Sequence, residues 1–403
     1  MRSVSFSDQA LRDPAPSGRA RRTLAVAGVA HALHDGYTDL IYVLLPVWQA
    51  EFALGYGALA LLRGLYAGAM AVLQVPATRL AERIGGRAVL ALGTAVAGLG
   101  YALAGWSGGL LGLGAALAIS GAGSATQHPI ASAAVSRAYG AAARGPLGTY
   151  NFTGDLGKAA IPALVSLLLA VMPWRPSLWL LAGLGLAVAA AVALWLPPIG
   201  RAEAGPGRQG PAGRGRGGFG LLFAIGMLDT GVRMGLLTFL PFLLQAKGAS
   251  LPTVGLALSL VFLGGAAGKF ACGWLGVRVG LLRTVLLTEG GTAVGIAAVL
   301  ALPLLPALLL LPLLGLMLNG TSSVLYGTVP ELAPPHRVER AFALFYTGVI
   351  GSGAVSPVAY GLLGDAVGPL WATAATAVTA LATVPLAFAL APRLSPERRG
   401  QPS

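Results

Sequence analysis

Twelve long apolar stretches run through this chain, and they restrict its fold more than any other feature of the sequence. Each is roughly 20 residues long, the length of helix that crosses a hydrocarbon layer of about 30 Å. Leu, Ala, Val and Gly dominate these stretches, which is typical of membrane helices and unlike the alternating strands of an outer-membrane barrel. We expect an all-α integral membrane protein with spans at 24–48, 58–80, 88–106, 109–134, 147–170, 177–197, 219–245, 252–275, 283–301, 306–328, 341–363 and 370–391.

The overall composition supports the same class of protein. Of the 403 residues, 56% are hydrophobic and only 10% are charged, which is too apolar for a water-soluble domain. The single cysteine, Cys272, rules out an intramolecular disulfide framework and does not suggest a cysteine-rich metal site. We expect it to be a small core residue.

The distribution of Arg and Lys predicts the orientation in the membrane. Of the 27 such residues, 21 fall in the two tails, the central loop and the loops on the same side as the tails. Only Arg175 and Lys247 lie on the opposite side, and four lie within spans. Because Arg-rich loops remain in the cytoplasm, both termini are expected there, in a multi-pass protein of the bacterial cytoplasmic (inner) membrane. The net charge of +13 therefore requires no nucleic-acid partner.

Polar segments divide the chain into five parts. These are a cytoplasmic N-terminal tail (1–23), a six-helix half (24–197), a cytoplasmic linker (198–218), a second six-helix half (219–391) and a cytoplasmic C-terminal tail (392–403). The linker is rich in Gly, Pro and Arg, cannot bury a core, and is expected to be a flexible tether. Its RGRGG element resembles RNA-binding tails, but a basic linker that orients the protein is the favoured interpretation.

The two halves repeat each other at an offset near 195 residues. Pro46 in the first half corresponds to Pro241 in the second. The segment Thr78–Arg87, after helix two, has a counterpart in Gly273–Arg283, after helix eight. Two homologous six-helix halves are typical of one transporter architecture.

The segment after helix two resembles the loop motif of the major facilitator superfamily, Gly-x-Leu-Ala-Asp-Arg-x-Gly-Arg-Arg. Glu82 stands where Asp is usual, and the matching residues are Leu80, Ala81, Arg83, Gly85 and Arg87. The second copy keeps part of the pattern in Gly273, Leu275, Arg278 and Gly280. The resemblance covers essentially the whole chain and implies the major facilitator fold, twelve transmembrane helices in two homologous halves.

Two further segments resemble the fosmidomycin-resistance group of exporters within that superfamily. They are HALHDGYTDLIYVLLP on helix one and QHPIASAAVSR (Gln127–Arg137) on helix four. This resemblance implies proton-driven efflux, that is, an antiporter with a role in drug resistance. The Gly-x-x-x-Gly-Pro-x-x-Gly-Gly pattern of antiporter helix five is reduced here to Gly157 and Pro162.

Helix one carries many polar side chains for a membrane span. On a helical projection one face contains His31, His34, Asp35, Thr38, Asp39 and Tyr42. A charged group at mid-membrane costs about 2.5–3.5 kcal/mol, so this face is expected to line a central cavity or, alternatively, to bond neighbouring helices. Histidine titrates near neutrality, so Asp35 with His34 or His31 is the candidate proton-coupling site, together with Asp39.

Four cations are expected at depth in the membrane, and each needs a partner. They are Arg63, Lys158, Arg233 and Lys269. Asp229 lies four residues before Arg233, which predicts a local pair on helix seven. Asp155 lies three residues before Lys158, which predicts another on helix five. Asp39 is the expected partner of Arg63.

The remaining excess of cations predicts an anionic or zwitterionic substrate, such as a phosphonate or a carboxylate. For the polar groups among the candidates, a role in helix packing is an equally good interpretation. The candidate substrate-binding residues are Thr38, Tyr42, Arg63, Gln127, His128, Asn151, Lys158, Asp229, Arg233, Asn319, Tyr326 and Tyr346.

Charged residues near the cytoplasmic helix ends form a candidate conformational latch. We expect it to pair across the two halves and stabilise the outward-facing state, and its members are Glu82, Arg83, Arg87 and Arg278. Glu289 and Glu331 are expected to reach the membrane surface or to pair with cytoplasmic arginines.

These observations predict a secondary active transporter that works by alternating access, with proton-coupled efflux as the favoured direction. The sequence contains no P-loop pattern for ATP. We assign no catalytic residue, metal ligand or cofactor, and expect no enzyme activity. An organic-anion importer or uniporter on the same fold is the alternative, and a membrane-embedded enzyme is a remote one. The expected partners are a small molecule, protons and the bilayer, and the monomer is the expected functional unit.

Overall fold

The computed structural model of the chain describes residues 17–199, 218–333 and 338–394, which are almost entirely helical. Most of the expected linker and of both tails lies outside the described residues, as does Arg337. The helices are α1 (Gly18–Phe52), α2 (Tyr56–Ile84), α3 (Gly86–Trp106), α4 (Leu110–Ser124), α5 (Gln127–Tyr139), α6 (Arg144–Val171), α7 (Trp174–Trp195), α8 (Phe219–Ala246), α9 (Leu251–Ala301), α10 (Leu304–Leu332), α11 (Val338–Val367) and α12 (Pro369–Leu390).

These helices correspond to the twelve expected spans, with two local differences. The fourth span is divided between α4 and α5, which meet at residues 125–126. The eighth and ninth spans are joined in α9, a helix of 51 residues. Nine of the described helices are long and apolar enough to cross a membrane. Counting α9 twice and adding α1 and the α4–α5 pair gives twelve spans.

Two equivalent glycines form the turns between spans in the two halves. Gly85 separates α2 from α3, and Gly280, 195 residues later, is where α9 bends. Their φ angles are 95° and 83°, a region that residues with a Cβ rarely adopt. The structure therefore contains the repeat seen in the sequence. It also corrects the expected break between 275 and 283, since only Gly280 leaves the helical conformation.

Within the first half, α1 packs closely against α6. Gly157 of α6 lies so near the carbonyl group of Ala32 that an added Cβ would overlap with it. In the second half α8 packs against α11 in the equivalent arrangement. The first helix of each half is thus held against the fifth.

The described chain begins and ends on one side of the helix bundle, called here the terminal side; the opposite side is the far side. The two halves meet through α2 with α11 and through α6 with α9. Several of these contacts lie in the far part of the bundle. Ser166 near the end of α6 touches Gly255 near the start of α9, and Ser259 donates to the carbonyl oxygen of Ala159 at 2.6 Å. The far side is therefore closed.

Candidate functional site

The carboxylate of Asp35, in the middle of α1, is surrounded by three basic side chains. His31 lies one helical turn earlier, with Nε2 3.4 Å from Oδ2. His128, in the first turn of α5, places Nε2 3.7 Å from Oδ1. Lys158 of α6 places Nζ 3.3 Å from Oδ2. The break between α4 and α5 brings His128 to this point, so the cluster joins three helices of the first half.

The hydrogen bond of His31 leaves a place for a proton in this cluster. Its Nδ1 lies 2.8 Å from the backbone carbonyl oxygen of Tyr150, and its ring stacks on the Tyr150 ring at 4.1 Å. Because a carbonyl oxygen only accepts, Nδ1 carries a hydrogen. In a neutral ring, Nε2 would then direct a lone pair at the carboxylate of Asp35. A favourable contact therefore needs a proton on His31 Nε2 or on Asp35.

His34 does not belong to the Asp35 cluster. Its Nε2 lies 3.0 Å from Thr94 Oγ1, and its Nδ1 lies 3.1 Å from Ser124 Oγ. Since Thr94 donates its own hydrogen to the carbonyl oxygen of Leu90, it accepts from His34, and Ser124 can donate to Nδ1. Both ring nitrogens are thus satisfied by neutral hydroxyl groups between α1, α3 and α4.

Asp39 and Arg63 form the expected contact between α1 and α2. Asp39 Oδ1 lies 4.0 Å from Arg63 Nη2, and both side chains are buried. The Arg63 guanidinium also lies 5.4 Å from the centre of the Tyr42 ring, within the range of a cation–π contact. The hydroxyl of Tyr42 donates to the sulfur of Met234 in α8 at 3.2 Å. This buried pair therefore lies at a contact between the two halves.

The expected local pair between Asp155 and Lys158 does not form. Lys158 reaches Asp35 instead, and Asp155 Oδ1 lies 2.5 Å from Nζ of Lys269 in the other half. The physical reason is that a lysine side chain is long enough to reach a neighbouring helix. The ammonium-bearing side chains are the exposed members, at 29% for Lys158 and 38% for Lys269, whereas Asp35 and Asp155 are 9% and 8% exposed.

The second half departs from expectation as well. Arg233 does not pair with Asp229; Nη1 donates to Asn319 Oδ1 at 3.3 Å and Nη2 to Thr230 Oγ1 at 3.4 Å. At the 195-residue offset Asp229 and Glu289 correspond to His34 and Thr94, whose side chains are bonded to each other. Glu289 was expected near the membrane surface, but it is fully buried. A turn of α9 places it against α8 and α10, away from the terminal-side arginines.

The remaining substrate-binding candidates are spread around the middle of the bundle. Thr38 donates to the carbonyl oxygen of His34 on its own helix. Gln127 is buried and donates to the Tyr150 hydroxyl at 3.3 Å. Asn151 is exposed, and the rings of Tyr326 and Tyr346 lie 6.3 Å apart. Tyr150 was not predicted from the sequence. It bonds His31 through its backbone carbonyl oxygen, which every residue has.

The four latch candidates lie at the terminal side and do not meet. Glu82 and Arg83 are exposed. Arg87 donates to the carbonyl oxygen of Leu196 in its own half at 3.4 Å, and Arg278 stacks on Trp274 at 4.0 Å. A latch of this kind would form when the terminal side closes, so its role remains a prediction.

A metal ion is a poor fit for the Asp35 cluster. The nearest nitrogen or oxygen atoms of His31, Asp35 and His128 lie within 4.8 Å of one another. The ammonium group of Lys158 lies 3.3 Å from the same carboxylate, however, and places positive charge where a cation would bind. The cluster is better suited to a proton or to the charged group of an organic substrate.

Comparison with known proteins agrees with this architecture. The model of the Major Facilitator Superfamily matches residues 27–221 and 221–403, one match for each half. No curated protein matches the chain.

The structure resembles several solved transporters. One is a bacterial homologue of the human lysosomal transporter Spinster in an inward-facing and occupied conformation, with a TM-score of 0.79 and 15% identity over 94% of this chain and 98% of that one. The unoccupied form of the same homologue gives a TM-score of 0.78 at 15% identity and the same coverage. A mutant of the nucleoside transporter NupG gives 0.77 at 12% identity over 94% and 100% of the two chains. The solved structures that resemble this chain are those of membrane transporters and not of enzymes. The chain itself belongs to the Major Facilitator Superfamily.

Proposed function

We propose that this protein is a proton-coupled secondary transporter of the bacterial cytoplasmic membrane that exports a small anionic or zwitterionic molecule by alternating access. The main support for this proposal is the Asp35 cluster. There, the hydrogen bond from His31 to the Tyr150 carbonyl group leaves a place for one proton between His31 and Asp35. A buried carboxylate that can exchange a cationic partner for a proton is a means of coupling.

The charge of the substrate is inferred from which member of each ion pair is exposed, the lysine or the carboxylate. Lys158 and Lys269 are partly exposed while their carboxylate partners are covered. The two ammonium groups come from different halves, so an anionic group between them would contact both halves. This supports a phosphonate or carboxylate group on the substrate.

The direction of coupling depends on what replaces the proton at Asp35. An amino group of a zwitterion would compete with the proton for this carboxylate, which produces antiport. A simple anion would bind Lys158 more strongly when Asp35 is protonated, which produces symport. We therefore favour a zwitterion for proton-driven export, and a simple organic anion for the alternative, an importer on the same fold.

The resemblance of two segments supports export, and the expected orientation is compatible with it. The excess of Arg and Lys on the terminal side supports a cytoplasmic position for that side. With the far side closed, the site would then be reached from the cytoplasm, where an exporter loads its substrate and an importer releases it. The similarity of His31–Pro46 and Gln127–Arg137 to the fosmidomycin-resistance group supports export.

The test uses the purified chain in proteoliposomes with a trapped pH dye and an imposed pH gradient. The compounds are an aminophosphonate, a simple phosphonate, a dicarboxylate and a lipophilic cation. We expect one charge class to dissipate the gradient with the intact protein and with Glu51→Gln, an exposed control, but not with Asp35→Asn. If labelled anions equilibrate while no compound moves protons, the protein is a uniporter and the coupling proposal is wrong.

A further inference from the structure

We propose that Asp229 of α8 and Glu289 of α9 form a second proton-binding site, located in the C-terminal half and separate from the Asp35 cluster. Asp229 and Glu289 are 3% and 2% exposed. At the offset of 195 they stand where His34 and Thr94 make a side-chain contact of 3.0 Å in the first half, and we infer the same contact between the two carboxyl groups. Thr321 of α10 donates to Glu289 Oε1 at 2.7 Å.

The chemistry of this contact requires a bound proton. Ionised carboxylates have only acceptor atoms, so two of them cannot form a hydrogen bond with each other. Two adjacent buried negative charges are also strongly unfavourable. One of the two carboxyl groups therefore carries a hydrogen and donates it to the other, and the pair as a whole holds a single negative charge.

The internal repeat shows that non-acidic side chains can form a hydrogen bond between these two helix positions. At the offset of 195, Asp229 corresponds to His34 and Glu289 to Thr94. In the first half those two residues are bonded to each other in a neutral network. The second half has two acids at the same two places. Histidine and threonine can fill these two positions equally well. Two acids, however, can share, bind and release a proton.

The surroundings of the pair contain groups that can respond to that proton. Arg233, one turn along α8, is bonded to Asn319 and Thr230, and its Nε is buried without a hydrogen-bond partner. Thr292, one turn beyond Glu289 on α9, is buried, and its hydroxyl also has no partner. Both unsatisfied groups lie beside the two acids along the same helices.

Other charged and titratable groups lie near the pair or along the same helices. Tyr326 of α10 is close enough to interact with Asp229 electrostatically. Tyr360 of α11 lies beside Gly235, farther along α8. From the first half, Asp39 and Lys158 interact with Arg233. Arg233 is thus the cation that interacts both with Asp229 and with charged groups of the first half.

This arrangement links the proton to the central cavity. When the pair loses its proton, it carries two negative charges, which draw Arg233 away from Asn319 towards Asp229. When the pair holds its proton, Arg233 remains available to an anionic group in the cavity. Binding of a proton at the second site and binding of an anion at Arg233 therefore favour each other.

Infrared spectroscopy of the purified full-length chain in lipid nanodiscs tests the proposal without any transport substrate. A protonated carboxyl group has a carbonyl stretch that is separate from the bands of a carboxylate. We expect wild type at neutral pH to show such a band, equivalent to one group per chain, that is missing in Glu289→Gln and in Asp229→Asn. The band should shift in D₂O and should disappear at alkaline pH while the protein is still folded.

Controls separate this site from the one proposed for transport. Asp35→Asn should retain the band even though it abolishes the coupling proposed above, so the two proposals can fail independently. Thr321→Val keeps both acids and should shift the position of the band, which provides a test if the Gln variant does not fold. Absence of a band assignable to Asp229 or Glu289 would overturn the proposal. So would a band that is insensitive to D₂O and to pH up to unfolding, because it would indicate a fixed structural proton.

Discussion

The carboxylate of Asp365, at the end of α11, accepts a hydrogen bond from the backbone N–H of Tyr56, the first residue of α2, at 2.6 Å. Its second oxygen accepts from the N–H of Gly57 at 2.9 Å. The first N–H groups of a helix have no partner within the helix and carry partial positive charge. Because α2 and α11 belong to different halves, this cap can exist only while the far side is closed.

Removing the cap should shift the protein towards the state that is open on the far side. Loss of a helix cap costs about 1 kcal/mol, so Asp365→Ala should lower the ratio of far-closed to far-open molecules about five-fold. Double electron–electron resonance between spin labels at the far ends of α2 and α11, in a Cys272→Ser background, measures this ratio. Asp365→Asn, which keeps one acceptor oxygen, should shift it less. Equal distance distributions in wild type and Asp365→Ala would contradict the role of the cap.

The two histidines of α1 should respond differently to the same substitution. His31→Gln can still donate to the Tyr150 carbonyl group but removes one of the two groups that share the proposed proton, so the pH dependence of transport in proteoliposomes should change. His34→Gln leaves the hydroxyl groups of Ser124 and Thr94 poorly satisfied, and should lower the free energy of unfolding by about 1–3 kcal/mol. Its pH profile should remain that of wild type. The opposite pattern would assign the proton to His34.

The contact between Asp39 and Arg63 predicts non-additive effects on stability. Asp39→Asn or Arg63→Gln alone leaves one buried charge without its partner, which should cost about 3–5 kcal/mol. The double variant removes both charges and should be more stable than either single variant. Thermal unfolding in detergent, followed by tryptophan fluorescence, provides the measurement. If the two losses simply add, the pair does not act as a unit.

The ion pair on the far surface predicts a small pH-dependent term. The hydrogen bond from Arg175, at 2.7 Å, holds the pKa of the Glu51 carboxyl below its ordinary value of 4.5. Because the folded-state pKa is lowered, the stabilisation is present above pH 4.5 and is lost as the pH falls through the lower value. The two side chains are 34% and 39% exposed, so the contribution to stability is small and is screened by salt.

Thermal unfolding of Glu51→Gln checks this term. Its midpoint should lie slightly below that of wild type at neutral pH and coincide with it in acid. Arg175→Gln is the matched control, because Arg175 also stacks on Trp174 at 4.3 Å. That variant should remain less stable than wild type at acidic pH. A Glu51→Gln difference that persists in acid would exclude the ion pair as its cause.

The close approach of α1 and α6 predicts a steric effect at one glycine. Gly157→Ala would place a methyl group against the Ala32 carbonyl group, so the two helices must separate and the yield of folded protein should fall. Gly68→Ala, in a helix position with open space around it, is the control and should fold like wild type. Size-exclusion chromatography in detergent compares the two. Normal folding of Gly157→Ala would show that this crossing can relax.

Much of the fold could be read from the sequence because membrane helices have few options. Backbone polar groups must be satisfied within each span, so length and hydrophobicity locate the helices. The repeat was visible in Pro46 and Pro241, and the structure adds Gly85 and Gly280 as equivalent turns. Helical periodicity also placed Asp35 and Asp39 on one face of α1, and the pairing of Asp39 with Arg63 followed from their similar depth.

The partners of the other buried charges could not be read in the same way. Sequence spacing describes neighbours on one helix, and it favoured Asp155 with Lys158 and Asp229 with Arg233. In the structure Lys158 reaches Asp35, Lys269 reaches Asp155, and Arg233 donates to Asn319. The sequence by itself determined the spans, the repeat and the polar face of α1. Only the tertiary structure decided which groups meet, because a long side chain inside a bundle is as close to three neighbouring helices as it is to its own.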